Sequence, residues 1–399
     1  MEQTLTSDNH ADGVYLQMKK YLCTSISVLL IVFFLLSPLF SQAMVKGPCS
    51  DCHTMHNSQG GTAMTFDNST TPNGHLLRSS GCVGCHAQGG SQNIITFSGN
   101  DVPQVMHTDT TDLAAGNFGY IDGSVGSGAS QTKGHNVIDL VLQDTTHLYP
   151  PGGPYKNAPA HINHPYSMPP RFTCAGLYGC HGNTHIVDPI ASMQGAHHES
   201  GGNLPLGHTV GTSYRFLIGI TGLETDDWQN TDKNHHNEYK ADWGGATQLP
   251  GWPNQSSCGW CHGPDNPWHG NSGTVMDPES SMADFCMRCH PHFHSYVQGG
   301  GVWFQHPENV RIPNWGEFAD YTEYSIDAPV ARRIIPSTPS SIVTPSNGVA
   351  NDYVTCISCH KAHATDHPDL LRWDYAHIEA GGGVSTGEGC IICHTKKDD

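Results

Sequence analysis

The stretch CISCHKAH, residues 356–363, places a histidine directly after the second of two cysteines that are separated by two residues. Another histidine follows three positions later. The two thiols of such a motif can add to the two vinyl groups of one porphyrin, and the adjacent histidine then lies under the iron as its proximal ligand. A single copy would also be compatible with a zinc site or a redox-active dithiol.

Six copies of C-x-x-C-H occur along the chain, and this repetition favours c-type haem at all of them. Zinc sites do not require a histidine at this position, and dithiol redox motifs do not repeat in this way. The cysteines and proximal histidines are Cys49, Cys52 and His53; Cys82, Cys85 and His86; Cys258, Cys261 and His262; Cys286, Cys289 and His290; Cys356, Cys359 and His360; and Cys390, Cys393 and His394.

A further stretch, TCAGLYGCHGNTH at residues 173–185, ends like these motifs but has five residues between Cys174 and Cys180. We expect a seventh haem c here, bound through both cysteines with His181 as proximal ligand, while the glycines of the longer loop let it bulge outwards. Attachment through Cys180 alone and a Cys174–Cys180 disulfide are the alternatives.

The composition indicates that these haems replace an ordinary hydrophobic core. Only 37% of the 399 residues are apolar, whereas 45 are Gly and 26 are Pro. Such a chain cannot bury enough of its own side chains to offset the entropy of ordering. We therefore predict a mostly irregular fold with short helices and few short strands, wrapped around a stacked chain of haems. Helical turns are expected near 281–294, 351–363 and 368–379, and a strand near 213–220.

The supply of 28 histidines favours a second histidine, rather than methionine, as the other axial ligand of each iron. A histidine three or four positions past the proximal one lies one helical turn along. It should face away from its own haem and towards a neighbouring iron, which suits electron transfer. The candidates are His56, His107, His135, His185, His269, His294, His306 and His363; His197, His198, His235 and His236 are expected at the surface.

The first 43 residues are typical of a secretory signal peptide. Lys19 and Lys20 follow Met18 and precede an apolar run, and Ser41-Gln42-Ala43 is a small-x-small cleavage site. Residues 1–17 are then expected to precede the true initiator methionine, Met18. Residues 44–399 are expected to form a single elongated multihaem domain. A retained membrane anchor is the alternative, because the apolar run is near the lower limit for spanning a bilayer.

Several segments resemble the OmcS-type outer-surface cytochromes. They are CSDCHTMHNSQGG, KGHN, YRFLIG, CMRCHPHFHS, FQHP, CISCHKAHA, LLRWDYAH and CIICHTKKDD, in this order. The resemblance implies bis-histidine haems in one continuous stack, and filaments in which His56 ligates the haem of His360 in the next protomer. That family carries six haems, so the additional site CGWCHGPDNPWHG is a departure.

The function predicted from these features is electron conduction rather than catalysis. The protein would be secreted to the outer surface through the periplasm, and would carry electrons from outer-membrane cytochromes to extracellular acceptors such as metal oxides. The alternatives are a monomeric periplasmic or outer-membrane-docked shuttle and, less favoured, a multihaem oxyanion reductase, which needs an iron with an open coordination position. The net charge of −18 disfavours nucleic acid as a partner.

Overall fold

The computed structural model describes residues 47–88, 90–141, 172–183, 186–194, 237–241, 281–287, 310–346, 352–379 and 388–395, with short pieces at 45, 144, 151, 196–197, 216–217, 220, 222–223, 289–290 and 306. The signal-peptide region, the predicted haem site at Cys258, Cys261 and His262, and the candidate ligands His185, His269 and His294 lie outside these residues.

The described helices are short, and most of them carry haem-attachment cysteines. They are α1 Cys49–Cys52, α2 Val83–His86, α3 Gly119–Asp122, α4 Pro189–Ser192, α5 Met282–Met287 and α6 Cys356–Cys359. Single 3-10 turns occupy Gly74–Leu76, Gln131–Lys133, Gly176–Tyr178, Gly316–Phe318, Pro368–Leu370, Tyr375–His377 and Gly389–Ile392. None of the helices in the described ranges is long and apolar enough to cross a membrane.

Strands are equally short. Two antiparallel hairpins pair β1 Ser58–Gln59 with β2 Thr62–Ala63 and β3 Ile94–Phe97 with β4 Asn100–Pro103. A mixed five-stranded sheet has the order β5-β6-β8-β9-β7, formed by Gly222–Leu223, Glu238–Lys240, Ala331–Arg332, Asp352–Val354 and Val310–Arg311 respectively. The predicted low content of regular structure is therefore confirmed for the described part of the chain.

The predicted helical turns are present but shorter than expected. Within 351–363 the chain first forms β9, and α6 begins only after Thr355, whose backbone N–H donates to the hydroxyl of Ser358 at 3.0 Å. The helix ends at Cys359 because His360 has extended backbone angles. The region 368–379 forms two separate 3-10 turns. Of the predicted strand at 213–220, Leu217 forms an isolated bridge with Gly182.

A buried ion triad holds the five-stranded sheet together. Arg332 on β8 donates from Nε to Glu238 on β6 at 2.5 Å and from Nη1 to Asp352 on β9 at 2.6 Å. The three side chains are at most 3% exposed. The remaining carboxylate oxygens accept from the backbone N–H groups of Ser340 and Thr344, so both buried acids are fully engaged.

The sheet also anchors the C-terminal attachment segments. Ile357 of α6 packs with Ile220, Tyr239 and Tyr353 in one buried cluster. Ile392, between the cysteines of the last motif, packs in a second cluster. Both haem-attachment turns are therefore fixed to one rigid scaffold, independently of the porphyrins.

Replacing Arg332 by alanine should destabilise the protein by about 3–5 kcal/mol, because two buried carboxylates would lose their partner. Chemical unfolding of the holoprotein measures the change. Arg311→Ala is the matched control, since Arg311 is exposed on β7 of the same sheet and should cost no more than about 1 kcal/mol. Equal losses in the two variants would contradict the structural role of the triad.

Candidate haem-binding sites

The five described regular motifs share one backbone hydrogen bond, from the N–H of the proximal histidine to the carbonyl of the first cysteine. In three of them the N–H of the second cysteine donates to the same carbonyl. The distances from cysteine and from histidine are 3.2 and 3.0 Å at Cys82, 3.1 and 3.0 Å at Cys286, and 3.2 and 2.9 Å at Cys390. This single turn brings two thiols and one imidazole together, as attachment to one porphyrin requires.

The widened third site reproduces this arrangement despite its longer loop. Cys180 N–H and His181 N–H donate to the carbonyl of Cys174 at 3.2 and 3.0 Å, as in the regular motifs. The extra residues are taken up by the 3-10 turn Gly176–Tyr178, in which Gly176 has φ +80°. A β-carbon at Gly176 would lie 2.6 Å from the carbonyl oxygen of Ile186, so glycine is required there. The described Cys174 and Cys180 are not joined in a disulfide.

Hydrogen bonds orient several proximal imidazoles. The Nδ1–H group donates to a backbone carbonyl at 3.0 Å in His86, 2.7 Å in His290 and 2.7 Å in His360; the acceptors are Pro103, Pro151 and Asp369. This leaves Nε2 with a free lone pair for iron. Burial also lowers the pKa of all three imidazoles, which favours the neutral form that a metal needs.

Four proximal histidines each face one other histidine at nearly constant distance. The ring centres are 6.3 Å apart for His86 and His197, and 6.2 Å apart for the other three pairs: His290 with His135, His181 with His363, and His394 with His306. Each pair joins one attachment site to a histidine from elsewhere in the chain.

This distance fits two axial ligands on opposite sides of one iron. With metal–nitrogen bonds of about 2.0–2.1 Å and ring centres roughly 1.1 Å beyond each nitrogen, the expected separation is about 6.3 Å. Two imidazoles in direct hydrogen bonding would be closer, with their nitrogens roughly 2.9 Å apart. The residues present therefore fit a haem at each pair.

The structure thus brings three candidate distal ligands, His135, His306 and His363, to proximal histidines, and it places one further histidine, which the sequence analysis did not select, opposite another. His197 was expected at the surface. It is exposed, but its ring faces His86 and also stacks near Phe216, with ring centres 6.4 Å apart. Its polar sequence surroundings contain no signal for this role, because the pairing depends on a contact distant in sequence.

The other two described candidates have different surroundings. His107 is buried, its backbone is bound by the side chain of Asn117, and its Nε2 lies 3.9 Å from Oδ1 of Asp112. His56 is exposed and has no histidine ring opposite it among the described residues. Their assignments stay predictions.

His363 faces another attachment site, as expected, but the helical reason given for this was wrong. Because the chain is extended at His360, His363 does not lie one helical turn along. It is held instead by backbone hydrogen bonds, from its N–H to Ala115 at 2.7 Å and from His135 N–H to its carbonyl at 3.0 Å. A β-carbon on the neighbouring Gly116 would lie 1.9 Å from the Ala364 carbonyl oxygen, so this close approach needs glycine.

Separate attachment sites lie next to one another. The interaction of Cys82 with Cys174 lowers the pKa of Cys82 and raises that of Cys174. Burial raises the pKa of Cys85, and Cys52 contributes to the same shift. The backbone hydrogen bond from His135 N–H to the His363 carbonyl likewise brings two candidate ligands together.

The structure also shows an internal duplication. In segments 49–86 and 356–394, an LLR sequence between two attachment motifs bridges back to the first proximal histidine, pairing His53 with Leu77 and His360 with Leu371. The arginine N–H donates to the second cysteine carbonyl at 2.8 Å in the first copy and 2.9 Å in the second. His56 and His363 occupy equivalent positions. The repeated LLR was a sequence signal for this duplication.

Comparisons with known proteins agree with these motifs. Residues 348–399 match the family model described as "Doubled CXXCH motif". The C-type cytochrome OmcS of Geobacter sulfurreducens is 23% identical over an alignment that covers 90% of this chain and 87% of that protein.

Two solved structures from Geobacter sulfurreducens are also similar. One is titled an Outer Membrane Cytochrome S Filament, with 17% identity, a TM-score of 0.44, and coverage of 90% of this chain and 93% of that one. The other is titled OmcS nanowires, with 18% identity, a TM-score of 0.44, and coverage of 85% and 86%. The attachment motifs and the OmcS relative together indicate haem c as the cofactor, and along most of its length the chain is similar to an OmcS-type multihaem cytochrome.

Proposed function

We propose that this protein is a secreted cytochrome that conducts electrons along bis-histidine c-type haems to extracellular acceptors, as a filament of identical protomers. The observation that carries the proposal is the set of four histidine pairs with ring centres 6.2–6.3 Å apart. Bound haem would supply an iron that alternates between Fe(III) and Fe(II). The chain's own residues fix both axial positions and exclude other ligands.

Occupied axial positions favour conduction over catalysis. A reductase must offer its substrate an open position on iron. At the four paired sites the chain supplies two imidazoles, so a substrate would have to displace one of them. The contacts between Cys82 and Cys174 and between His135 and His363 support close spacing of successive haems, which electron transfer requires and substrate binding does not.

The geometry of the third site supports seven haems rather than six. Since Cys174, Cys180 and His181 repeat the backbone turn of the regular motifs, both thiols are available to one porphyrin. For the regular site at Cys258, Cys261 and His262, the sequence motif is the support.

The duplicated segment supports assembly of protomers through His56. Its equivalent, His363, faces the proximal histidine of a different site, so we infer that His56 also ligates a haem other than its own. His360, in the second copy, has no histidine ring opposite it in the described ranges. We propose that His56 of one protomer completes the coordination of the His360 haem in the next.

The surroundings of His56 are suited to such contact. Two apolar side chains near His56 are exposed, Met55 to 69% and Leu76 to 43%. The two segments that carry them are joined by a hydrogen bond from Thr54 N–H to the Leu76 carbonyl. Burial of these two side chains against a second copy of the protein would stabilise a contact made through His56.

Export supports an extracellular role within this proposal. The apolar run in residues 1–43 and the cleavage site after it would direct the chain to the periplasm, where haem is attached to exported thiols. Outer-membrane cytochromes would then donate electrons, and metal oxides are suitable acceptors. A monomeric shuttle is the second candidate, favoured if His56 finds its partner within the same chain.

Replacing His363 by alanine should leave one iron per chain without its sixth ligand. We expect about one high-spin haem, binding about one carbon monoxide per reduced chain, because alanine cannot coordinate iron. Absorption spectra with and without carbon monoxide measure this. His377→Ala is the control, since His377 is 81% exposed and should bind no carbon monoxide when replaced. A fully low-spin His363→Ala protein would contradict the pairing.

Intact mass of the secreted protein should show seven haems and the loss of residues 1–43. In Cys174→Ser the third haem would keep only one thioether bond, so one vinyl group remains and part of the pyridine haemochrome spectrum shifts to longer wavelength. Six haems together with a Cys174–Cys180 disulfide would refute the site. A shifted component already present in the wild type would show attachment through Cys180 alone.

Replacing His56 by alanine should abolish filaments in electron micrographs of the secreted fraction, while the monomer keeps its haems. His377→Ala should leave the filaments intact. Filaments that persist in His56→Ala would exclude this junction. A wild-type protein that forms no filaments at any concentration would instead favour the monomeric shuttle.

A further inference from the structure

The last attachment site differs from three other described sites in the group that faces Nδ1 of its proximal histidine. His86, His290 and His360 donate from Nδ1 to neutral backbone carbonyls. The Nδ1 atom of His394 is shielded from solvent, and no acceptor in the described part of the chain is aligned for a hydrogen bond with it. A carboxylate oxygen, Oε1 of Glu317, lies 3.4 Å away, within ion-pair distance.

Glu317 is held in this place by its own backbone. Its carbonyl accepts from both the N–H and the hydroxyl of Thr395, each at 2.7 Å, and Thr395 directly follows the proximal ligand. The neighbouring Phe318 packs edge-on against the His394 ring, with ring centres 4.9 Å apart. The carboxylate is therefore held beside the Nδ1 atom of His394.

We propose that Glu317 is a positioning residue that lowers the reduction potential of the haem held by Cys390, Cys393 and His394. A carboxylate that accepts from Nδ1–H makes the imidazole a stronger donor and adds negative charge near the iron, and both effects favour Fe(III) over Fe(II). This inference rests on haem binding at that site, and it does not require filaments or the His56 junction.

The two haems of the C-terminal segment would then differ in reduction potential. The neighbouring haem is ligated by His360, whose Nδ1–H has a neutral acceptor, Asp369 carbonyl. Ile357 of the His360 motif and Ile392 of the His394 motif each pack in a buried cluster that includes residues of the five-stranded sheet, so one scaffold holds both sites. Electron transfer from the His394 haem to the His360 haem would therefore run downhill.

Redox titration of the holoprotein, followed by absorption spectroscopy, tests the proposal. In Glu317→Gln the amide keeps the side-chain shape and the backbone bonds to Thr395. We expect one of the one-electron components to favour Fe(II) about tenfold more than in the wild type, which corresponds to a rise of about 59 mV. The electron paramagnetic resonance signal of one ferric haem should change as well, because its axial ligand donates less strongly.

Asp320→Asn is the matched control. It removes the same charge from an exposed side chain three positions away and should shift every component much less. Equal shifts in the two variants, or no shift in Glu317→Gln, would overturn the proposal. If intact mass showed no haem at Cys390 and Cys393, the binding site itself would be wrong, and this outcome is distinguishable from an unchanged potential. In Glu317→Asp the reduction potential of this component should lie between those of the wild type and Glu317→Gln.

Discussion

The proposed architecture depends on pairs of imidazoles whose ring centres lie 6.2–6.3 Å apart, a separation that suits two ligands of one iron. One member of each pair belongs to a cysteine motif, and the other comes from another part of the sequence, as with His86 and His197 or His181 and His363. Closing such long loops costs entropy, and ligation of haem iron would offset it. On this proposal, a chain that is only 37% apolar would be ordered by its haems rather than by a large hydrophobic core.

The electrostatics of the sites suit this role. Burial keeps imidazoles neutral, most clearly at His135, where it lowers the pKa to about 4. Carbonyl acceptors fix the rings without adding charge, and the Glu317 carboxylate is the described departure from that pattern. At the proposed haem sites, two fixed imidazoles would hold the iron with little change between oxidation states, which would favour rapid electron exchange.

The attachment sites were predictable from sequence because each is a single local turn. Even the widened site at Cys174 repeats the local hydrogen bonds, and the glycines of its loop indicated how. The histidines that face the attachment sites depend on tertiary contacts. Spacing selected His363, although the helical reason was wrong, and the short KGHN and FQHP segments selected His135 and His306, so these three stay predicted ligands. The contact of His197 with His86 could not be found, because nothing near it in the sequence marks it.

The five-stranded sheet could not be predicted from the sequence either. Its strands have two or three residues each, too few for an alternating pattern, and a buried triad of Arg332, Glu238 and Asp352 joins them. Charged residues in a polar sequence are expected at the surface, so their burial was unforeseen. The duplicated segment, by contrast, carried a readable signal in its repeated LLR.

The most direct test of the central claim is a high-resolution cryo-electron microscopy map of the secreted holoprotein. The account predicts one haem between the two rings of each of four pairs: His86 and His197, His135 and His290, His181 and His363, and His306 and His394. A map in which any of these irons has a water molecule, a methionine or a different histidine as its second axial ligand would contradict that pairing.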